Sequence, residues 1–231
     1  MRIINLKKQL GNFSIDVPCL ELQTGCVHGF IGENGCGKTT MAKLIANVLQ
    51  PDEGQILYDG LEPKSITMTA QKPYMLHTSV YENIIYPLTI RKIKPNESEI
   101  DAMLRTYDLY EKKNQYARSL SSGEQQKLSL LRALIFKPKF VIVDETLSNL
   151  SVDSLGLFEN LIQEIQKTRR ITWVLISHQA HIIHELCEQV HFFSHGRLLE
   201  SGETRQVFLY SQHPAVKRYA QKQLSGLRKE R

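Results

Sequence analysis

The sequence predicts an α/β fold in which a parallel sheet is covered by helices. Two observations lead there. The apolar runs VHGFI (27–31), FVIVDE (140–145) and ITWVLISH (171–178) are continuous rather than alternating, the pattern of strands buried on both faces. They also alternate along the chain with stretches of helical period, of which VDSLGLFENLIQEIQKT (152–168) is the longest.

In chain order, VHGFI reads as a strand, followed by a Gly-rich loop and by TMAKLIANVL (40–49), a helix that Pro51 should stop. GQILYDG (54–60) reads as a strand ending in an Asp-Gly turn, which is a hairpin signal. SVYENIIYPLTI and SEIDAMLRTYDLYEKK read as helical segments, and FVIVDE as a β-branched strand that ends in two acids. After the helix at 152–168, ITWVLISH is a buried strand ending in a histidine, and VHFFSHGRLLESG (190–202) reads as two strands around a Gly turn. There is no internal repeat and no low-complexity segment.

At 231 residues, 42% hydrophobic and 23% charged, the chain has the composition of a soluble globular protein, with length enough for one large domain. No apolar run is long enough to span a bilayer, and the start MRIINLKKQL is too polar for a secretory signal, so the expected location is cytoplasmic. Cys19, Cys26, Cys36 and Cys187 form no CxxC pair, which favours reduced, mostly buried thiols over a metal site or disulfide framework. The net charge of +5 belongs to the end of the chain. Six basic residues and one acidic residue follow His213, leaving 1–212 neutral. The body therefore has no nucleic-acid-binding character. The basic tail is either a solvated terminal helix or a contact for anionic headgroups or an acidic partner.

Residues 32–40, GENGCGKTT, fit the pattern G-x-x-x-x-G-K-[ST] through Gly32, Gly37, Lys38 and Thr39. Between a strand and a helix, such a loop wraps backbone N–H groups around phosphates, and the helix N-terminus adds a favourable dipole. Glu33, Asn34, Gly35, Cys36 and Thr40 complete the candidate cradle. Lys38 reaches the terminal phosphates and Thr39 can hold Mg²⁺. Cys36 is either a redox-sensitive thiol or small-residue filler. About a hundred residues later FVIVDE delivers Asp144 and Glu145 to the end of a strand, the edge at which open α/β sheets bind ligands. Asp144 there can orient a Mg²⁺-bound water, and Glu145 can polarise an attacking one.

With these residues in hand, the chain resembles the ATP-binding cassette family, specifically a transporter nucleotide-binding subunit of importer type, from about Ile3 to Gly202. The resemblance implies a P-loop NTPase core (a mostly parallel sheet with flanking helices), an N-terminal antiparallel β subdomain and an inserted α-helical subdomain. The cassette would cover 1–212, with the helical part at about 73–138 and a basic helical tail at 213–231. Gln71, in AQKPYML, resembles the family's glutamine loop, which links metal and attacking water to the membrane partner. LSSGEQQK (120–127) resembles the signature that binds ATP held by another subunit, through Ser121, Ser122, Gly123 and Glu124. SNLS (148–151) occupies the loop after the acids, and GRLLESG (196–202) resembles the closing hairpin. His178 resembles the switch histidine at the γ-phosphate. His181 and His184 follow it at three-residue spacing and read as surface residues rather than metal ligands.

The chain departs from the family pattern at several places. Ser122 stands for the second signature glycine, Glu124 for glutamine, Thr146 for the proline after the catalytic glutamate, and Ser151 for an aspartate. No aromatic sits clearly at the adenine-stacking position. Leu10 falls nearest, with Phe13 three residues on. The resemblance implies a Mg²⁺-dependent ATPase that pairs head to tail with a second cassette, identical or not. It docks through 73–93 on an integral membrane permease at the inner face of the cell membrane, with a substrate-binding protein as a further partner. Two alternatives remain at this level: a soluble ATP-driven switch acting on a protein assembly, and a weakly hydrolysing partner in a cassette heterodimer.

Overall fold

The continuous apolar runs become the strands at the centre of one sheet. The structure, a computed structural model, describes residues 1–146, 151–177 and 179–227. Its elements are β1 (Arg2–Leu10), β2 (Phe13–Glu21), β3 (Val27–Gly32), α1 (Lys38–Ile45), β4 (Glu53–Leu57), β5 (Ile66–Thr69), α2 (Val80–Ile90), α3 (Glu97–Thr106), α4 (Ser122–Leu134), β6 (Phe140–Asp144), α5 (Val152–Thr168), β7 (Thr172–Ile176), α6 (Ala180–Leu186), β8 (Gln189–Ser194), β9 (Arg197–Glu203), α7 (Thr204–Tyr210) and α8 (Pro214–Leu227). No helix among the described residues is long and apolar enough to cross a membrane.

The sheet has nine strands in the order β4-β1-β2-β9-β8-β3-β7-β6-β5. From β8 to β5 the neighbours run parallel, whereas β1 pairs antiparallel with both β2 and β4, and β8 antiparallel with β9. The two parts meet at β2 and β9, which share one pairing, Asp16 with Arg197. There the Asp16 N–H donates to the Gly196 carbonyl at 2.9 Å. Gly196 has φ +76°, and a Cβ on it would lie 1.8 Å from the Ser14 carbonyl oxygen. Only glycine lets the β8–β9 turn lie this close to β2.

Both faces of the parallel strands are covered, which is why they read as unbroken apolar runs. Val141, Val143, Trp173 and Leu175 join one core with Phe158, Ile162 and Ile165 of α5. The alternate residues Phe140, Ile142, Val174 and Ile176 join a second core with Met41, Leu44 and Ile45 of α1 and with Ile3, Leu6 and Ile15 of the antiparallel strands. Each such side chain, fully buried, contributes about 1.5–3 kcal/mol. Helices α2 to α4, between β5 and β6 in sequence, pack into the first core, where Tyr107 stacks on Phe158 at 4.7 Å between centroids.

Three local expectations are corrected. The first helix does not run to Pro51. It ends at Ile45 because Asn47 adopts a left-handed conformation (φ 58°), with Asn47 N–H on the Leu44 carbonyl and Val48 N–H on the Lys43 carbonyl. That is a Schellman stop, a role asparagine can fill in place of glycine. The Asp59-Gly60 turn forms, with both residues at positive φ, but makes no hairpin. Strand β4 pairs with β1 at one edge of the sheet, while β5 lies at the other edge. Finally, α8 is not merely solvated: Val216 and Ala220 are buried and Tyr219 meets the Phe192 ring edge-on, while Lys217, Arg218 and Lys222 stay exposed. Burial pushes the Tyr219 hydroxyl up to about 12.

Buried among the strands is a chain of neutral imidazoles. His28 Nε2 lies 3.0 Å from the Gln23 carbonyl, His28 Nδ1 lies 3.0 Å from His191 Nε2, and His191 Nδ1 lies 2.9 Å from the Ser201 hydroxyl. A carbonyl only accepts, so His28 Nε2 carries the hydrogen and its Nδ1 accepts from His191. The Ser201 hydroxyl then donates to His191. Every site is satisfied while both rings are neutral, and a further proton on His28 Nδ1 would set N–H against N–H. Burial lowers both pKa values, that of His191 to about 3. Free histidine titrates near 6.5. The unfolded chain therefore takes up protons that the fold refuses, and stability that is complete above about pH 6.5 is lost as pH falls toward 3. Urea unfolding at pH 7.5 and pH 5 should show a loss of which about 2 kcal/mol is absent in His191→Gln. An unchanged loss in that variant would contradict the neutral-chain reading.

Candidate active site

The loop between β3 and α1 folds over its own lysine. Lys38 Nζ donates to the carbonyls of Gly32 and Glu33, both at 2.9 Å, and lies 3.8 Å from Cys36 Sγ. Gly37 sits at φ +109°, and a Cβ there would come within 2.4 Å of Ile15 and 3.0 Å of the Phe13 ring. The glycine lets strand β2 press against the loop. Helix α1 starts at this glycine with no side-chain cap and no acid in its first turn, so its free N–H groups and positive dipole end stay available to an anion. Burial raises the Cys36 thiol's pKa, with Lys38 opposing. The buried, protonated thiol acts as filler rather than as a reactive thiolate.

Two strand ends meet the loop. Asp144, at the end of β6, is buried and accepts a hydrogen bond from the Thr39 hydroxyl at 3.1 Å. Burial raises its pKa, while the Thr39 bond lowers it. Glu145 follows at φ 51°, unusual for a residue with a side chain, and its N–H donates to the Ile176 carbonyl at 2.9 Å. Strain of this kind costs about 1–3 kcal/mol and persists where the surroundings enforce it. From the end of β5, Gln71 Nε2 donates to Glu145 Oε2 at 2.6 Å. Hydroxyl, carboxylate and amide oxygens are hard donors, the set Mg²⁺ prefers beside phosphates. Thr39, Asp144 and Gln71 therefore fit that ion.

These groups open on a cleft of about 330 Å³, lined by residues 34, 35 and 37–40 of the loop, by Gln71 and Glu145, and by Phe13. Phe13 is the residue that the sequence marked least clearly. Leu10, nearer the expected position, lies in β1 and does not line the cleft. An aromatic ring here can stack on a nucleobase. Gly32, Glu33 and Cys36 act from behind, as carbonyl acceptors for Lys38 and as packing. His178 and the loop residues 148–150 lie outside the described residues. Ser151 caps α5, accepting from the Ser154 N–H at 3.4 Å.

The turn at 121–124 does not line this cleft. Ser121 caps α4, with a reciprocal bond from the Ser121 N–H to Glu124 Oε2 at 2.9 Å. The Ser121 hydroxyl also reaches that oxygen at 2.8 Å, and Lys112 binds the other, holding the Glu124 carboxyl below the usual range. Glu124, a candidate nucleotide contact from the sequence, is thus engaged with its own helix. A carboxylate three residues into a serine-capped helix points back at the cap. Ser122 is exposed, and a Cβ on Gly123 would meet nothing within 4 Å.

The sequence model of the family described as ABC transporter matches residues 16–148. The chain belongs to that family. It is 32% identical over 206 residues to the tungstate uptake system ATP-binding protein TupC of Peptoclostridium acidaminophilum, covering 86% of this chain and 96% of TupC. It is likewise 32% identical over 213 residues to the methionine import ATP-binding protein MetN of Protochlamydia amoebophila (strain UWE25). That match covers 86% of this chain but only 62% of MetN. The solved structure of CbiO1 from Clostridium perfringens, part of the ABC transporter complex cbiONQ, superposes with a TM-score of 0.74 at 23% identity, covering 98% of this chain and 96% of that one. The ATP-binding subunit of another ABC transporter superposes with a TM-score of 0.80 at 18% identity, covering 89% and 90%. These two establish a shared fold.

The cleft holds an aromatic ring, Phe13, apart from Lys38 and the loop, so base and phosphate contacts can be tested separately. In calorimetric titrations, Phe13→Ala should weaken ATP about tenfold and leave inorganic tripolyphosphate almost unchanged. Lys38→Ala should weaken both. A Phe13→Ala variant that binds ATP as the parent does would remove the ring from nucleotide recognition.

Proposed function

We propose that this chain is the ATP-hydrolysing subunit of an importer, driving solute through a separate membrane permease at the inner face of the cell membrane. The observation that carries the reading is the convergence at one cleft of the phosphate loop, the Thr39–Asp144 contact and the Gln71–Glu145 pair. ATP binds with its phosphates on the loop N–H groups and Lys38, its Mg²⁺ held by Thr39, Asp144 and Gln71. When bound, the ion neutralises charge on the β- and γ-phosphate oxygens. Glu145 and Gln71 orient a water in line with the γ-phosphorus, and Glu145 accepts its hydrogen bond as the new P–O bond forms and the bond to the ADP oxygen breaks. His178 contacts the γ-phosphate. The catalysis is positioning and charge stabilisation.

A second cassette completes the site. The Ser121–Gly123 turn lies outside this chain's own cleft, and the open space beside Gly123 leaves room for a phosphate brought by a partner. Two chains stacked head to tail, identical or not, would each supply that turn to the other's ATP. For the permease, support comes from Tyr74, Tyr86, Ile90 and Ile93, large apolar side chains exposed between Gln71 and α3. Grooves of about 290 and 630 Å³ adjoin them, the larger edged by Lys64, Lys92, Lys137 and Lys139. An amphipathic permease segment with acidic flanks suits this surface. The direction of transport, and a substrate-binding protein outside, are inferred from relatives named for tungstate and methionine uptake.

Glu145→Gln should lower kcat for ATP hydrolysis by about a hundredfold or more while ATP affinity stays within about twofold. Tagged full-length chain isolated from native membranes should carry a polytopic membrane protein with it. Parental turnover in the variant, or only water-soluble companions in the isolate, would each overturn the corresponding half of the proposal.

A further inference from the structure

Next to Glu145, in the place where the sequence departs from its family, is a buried hydroxyl pair. Thr146 is fully buried and Thr69 nearly so. Their Oγ1 atoms are 2.8 Å apart, and Thr146 Oγ1 also lies 3.3 Å from the Ala70 carbonyl and 3.3 Å from the Asp144 carbonyl. The direction of these bonds follows from chemistry. Carbonyls only accept, so the Thr146 proton points at them, and the Thr69 hydroxyl donates to Thr146. One side chain thus ties the end of β6 to the end of β5.

Each of those ends carries a residue of the water-binding pair. Gln71 stands two residues after Thr69, and Glu145 stands between Asp144 and Thr146. The 2.6 Å contact of Gln71 with Glu145 therefore closes a ring whose other side is the Thr69–Thr146 contact. Glu145 itself sits in a left-handed conformation that its own preference does not supply. Packing alone does not call for hydroxyls here, since a valine has the shape of threonine without the cost of burying a polar group. Proline at 146 could donate none of these bonds.

We propose that Thr146, acting through Thr69 and the Ala70 carbonyl, is a positioning residue that sets Gln71 against Glu145 and so fixes the attacking water. The proposal rests on the reading of Gln71 and Glu145 given above. It places the cost of losing the hydroxyl in kcat rather than in nucleotide binding, because the loop and Phe13 are untouched. It also makes the two threonines one unit, so that removing both costs no more than removing Thr146.

The test compares Thr146→Val, Thr146→Ser, Thr69→Val and the double valine variant as full-length chains. The readouts are kcat and KM for Mg²⁺-ATP, hydrogen exchange at residues 67–72, and thermal unfolding. Thr146→Val should lower kcat about tenfold or more, a size typical of slight misplacement of reacting groups. KM should stay within about twofold and exchange at Ala70 and Gln71 should rise. Thr146→Ser should restore both, and the double variant should match Thr146→Val. Wild-type kcat and exchange in Thr146→Val, a loss that serine does not rescue, or effects of the two valines that multiply would each overturn the proposal. Should Thr146→Val fail to fold, Thr69→Val and Thr146→Ser still decide, through lowered and retained kcat respectively. Glu145→Gln in the same assay separates the levels. If it is silenced while Thr146→Val is untouched, the positioning role of Thr146 alone fails; if it turns over normally, the site reading fails and the positioning role with it.

Discussion

Thr39 and Asp144 are 105 residues apart in sequence, and their side chains meet at 3.1 Å. That contact joins the loop to the end of the parallel strands, and it depends on strand register. Phe30 pairs with Ile176 and Ile176 with Asp144, so β7 and β6 end on one row and β3 runs two residues past it, to Gly32 at the start of the loop. Thr69 pairs with Val143 one position earlier, which puts Gln71 at the same edge. A slip of one residue in β6 would turn Asp144 to the other face. What prevents the slip is the double core: Val141 and Val143 have partners on one face, Phe140 and Ile142 on the other. The chemistry is held in place by aliphatic packing some distance from it.

Two helix N-termini are treated differently. That of α1 has neither cap nor acid, whereas that of α4 has a serine cap, Glu124 in its first turn and Lys112 bound to Glu124. The dipole of α1 is left for an external anion, while that of α4 is largely answered within the chain. Under the proposed function, a nucleotide would bind first at α1, with the Ser121 turn of a second cassette as the later and weaker contact.

Much of the site could be read from the sequence because its parts are local patterns. The loop at 32–40 and the acids at 144–145 declare themselves by residue type, spacing and the apolar runs before them. What stayed hidden was set by tertiary contacts. Asn47 ends α1 through a left-handed turn that its neighbours do not announce, and β4 crosses to β1 although its Asp-Gly turn looks like a hairpin. Phe13 enters the cleft because Gly37 has no side chain to exclude it, a relation between residues on different elements. Glu124 resembled a ligand because the serine–glutamate spacing of a capping box coincides with a signature. Thr146 was visible only as an anomaly, since its partner on β5 is 77 residues away.

The narrow meeting of β2 with β9 has a mechanical consequence. The antiparallel strands bring Phe13, the parallel strands bring the phosphate loop, and between them the sheet is continuous through the single pairing of Asp16 with Arg197. Under the proposed function, a molecule with a flat ring at one end and phosphates at the other lies across that seam. It would act as a second tie between the two parts of the sheet, added to the core that they share beneath it.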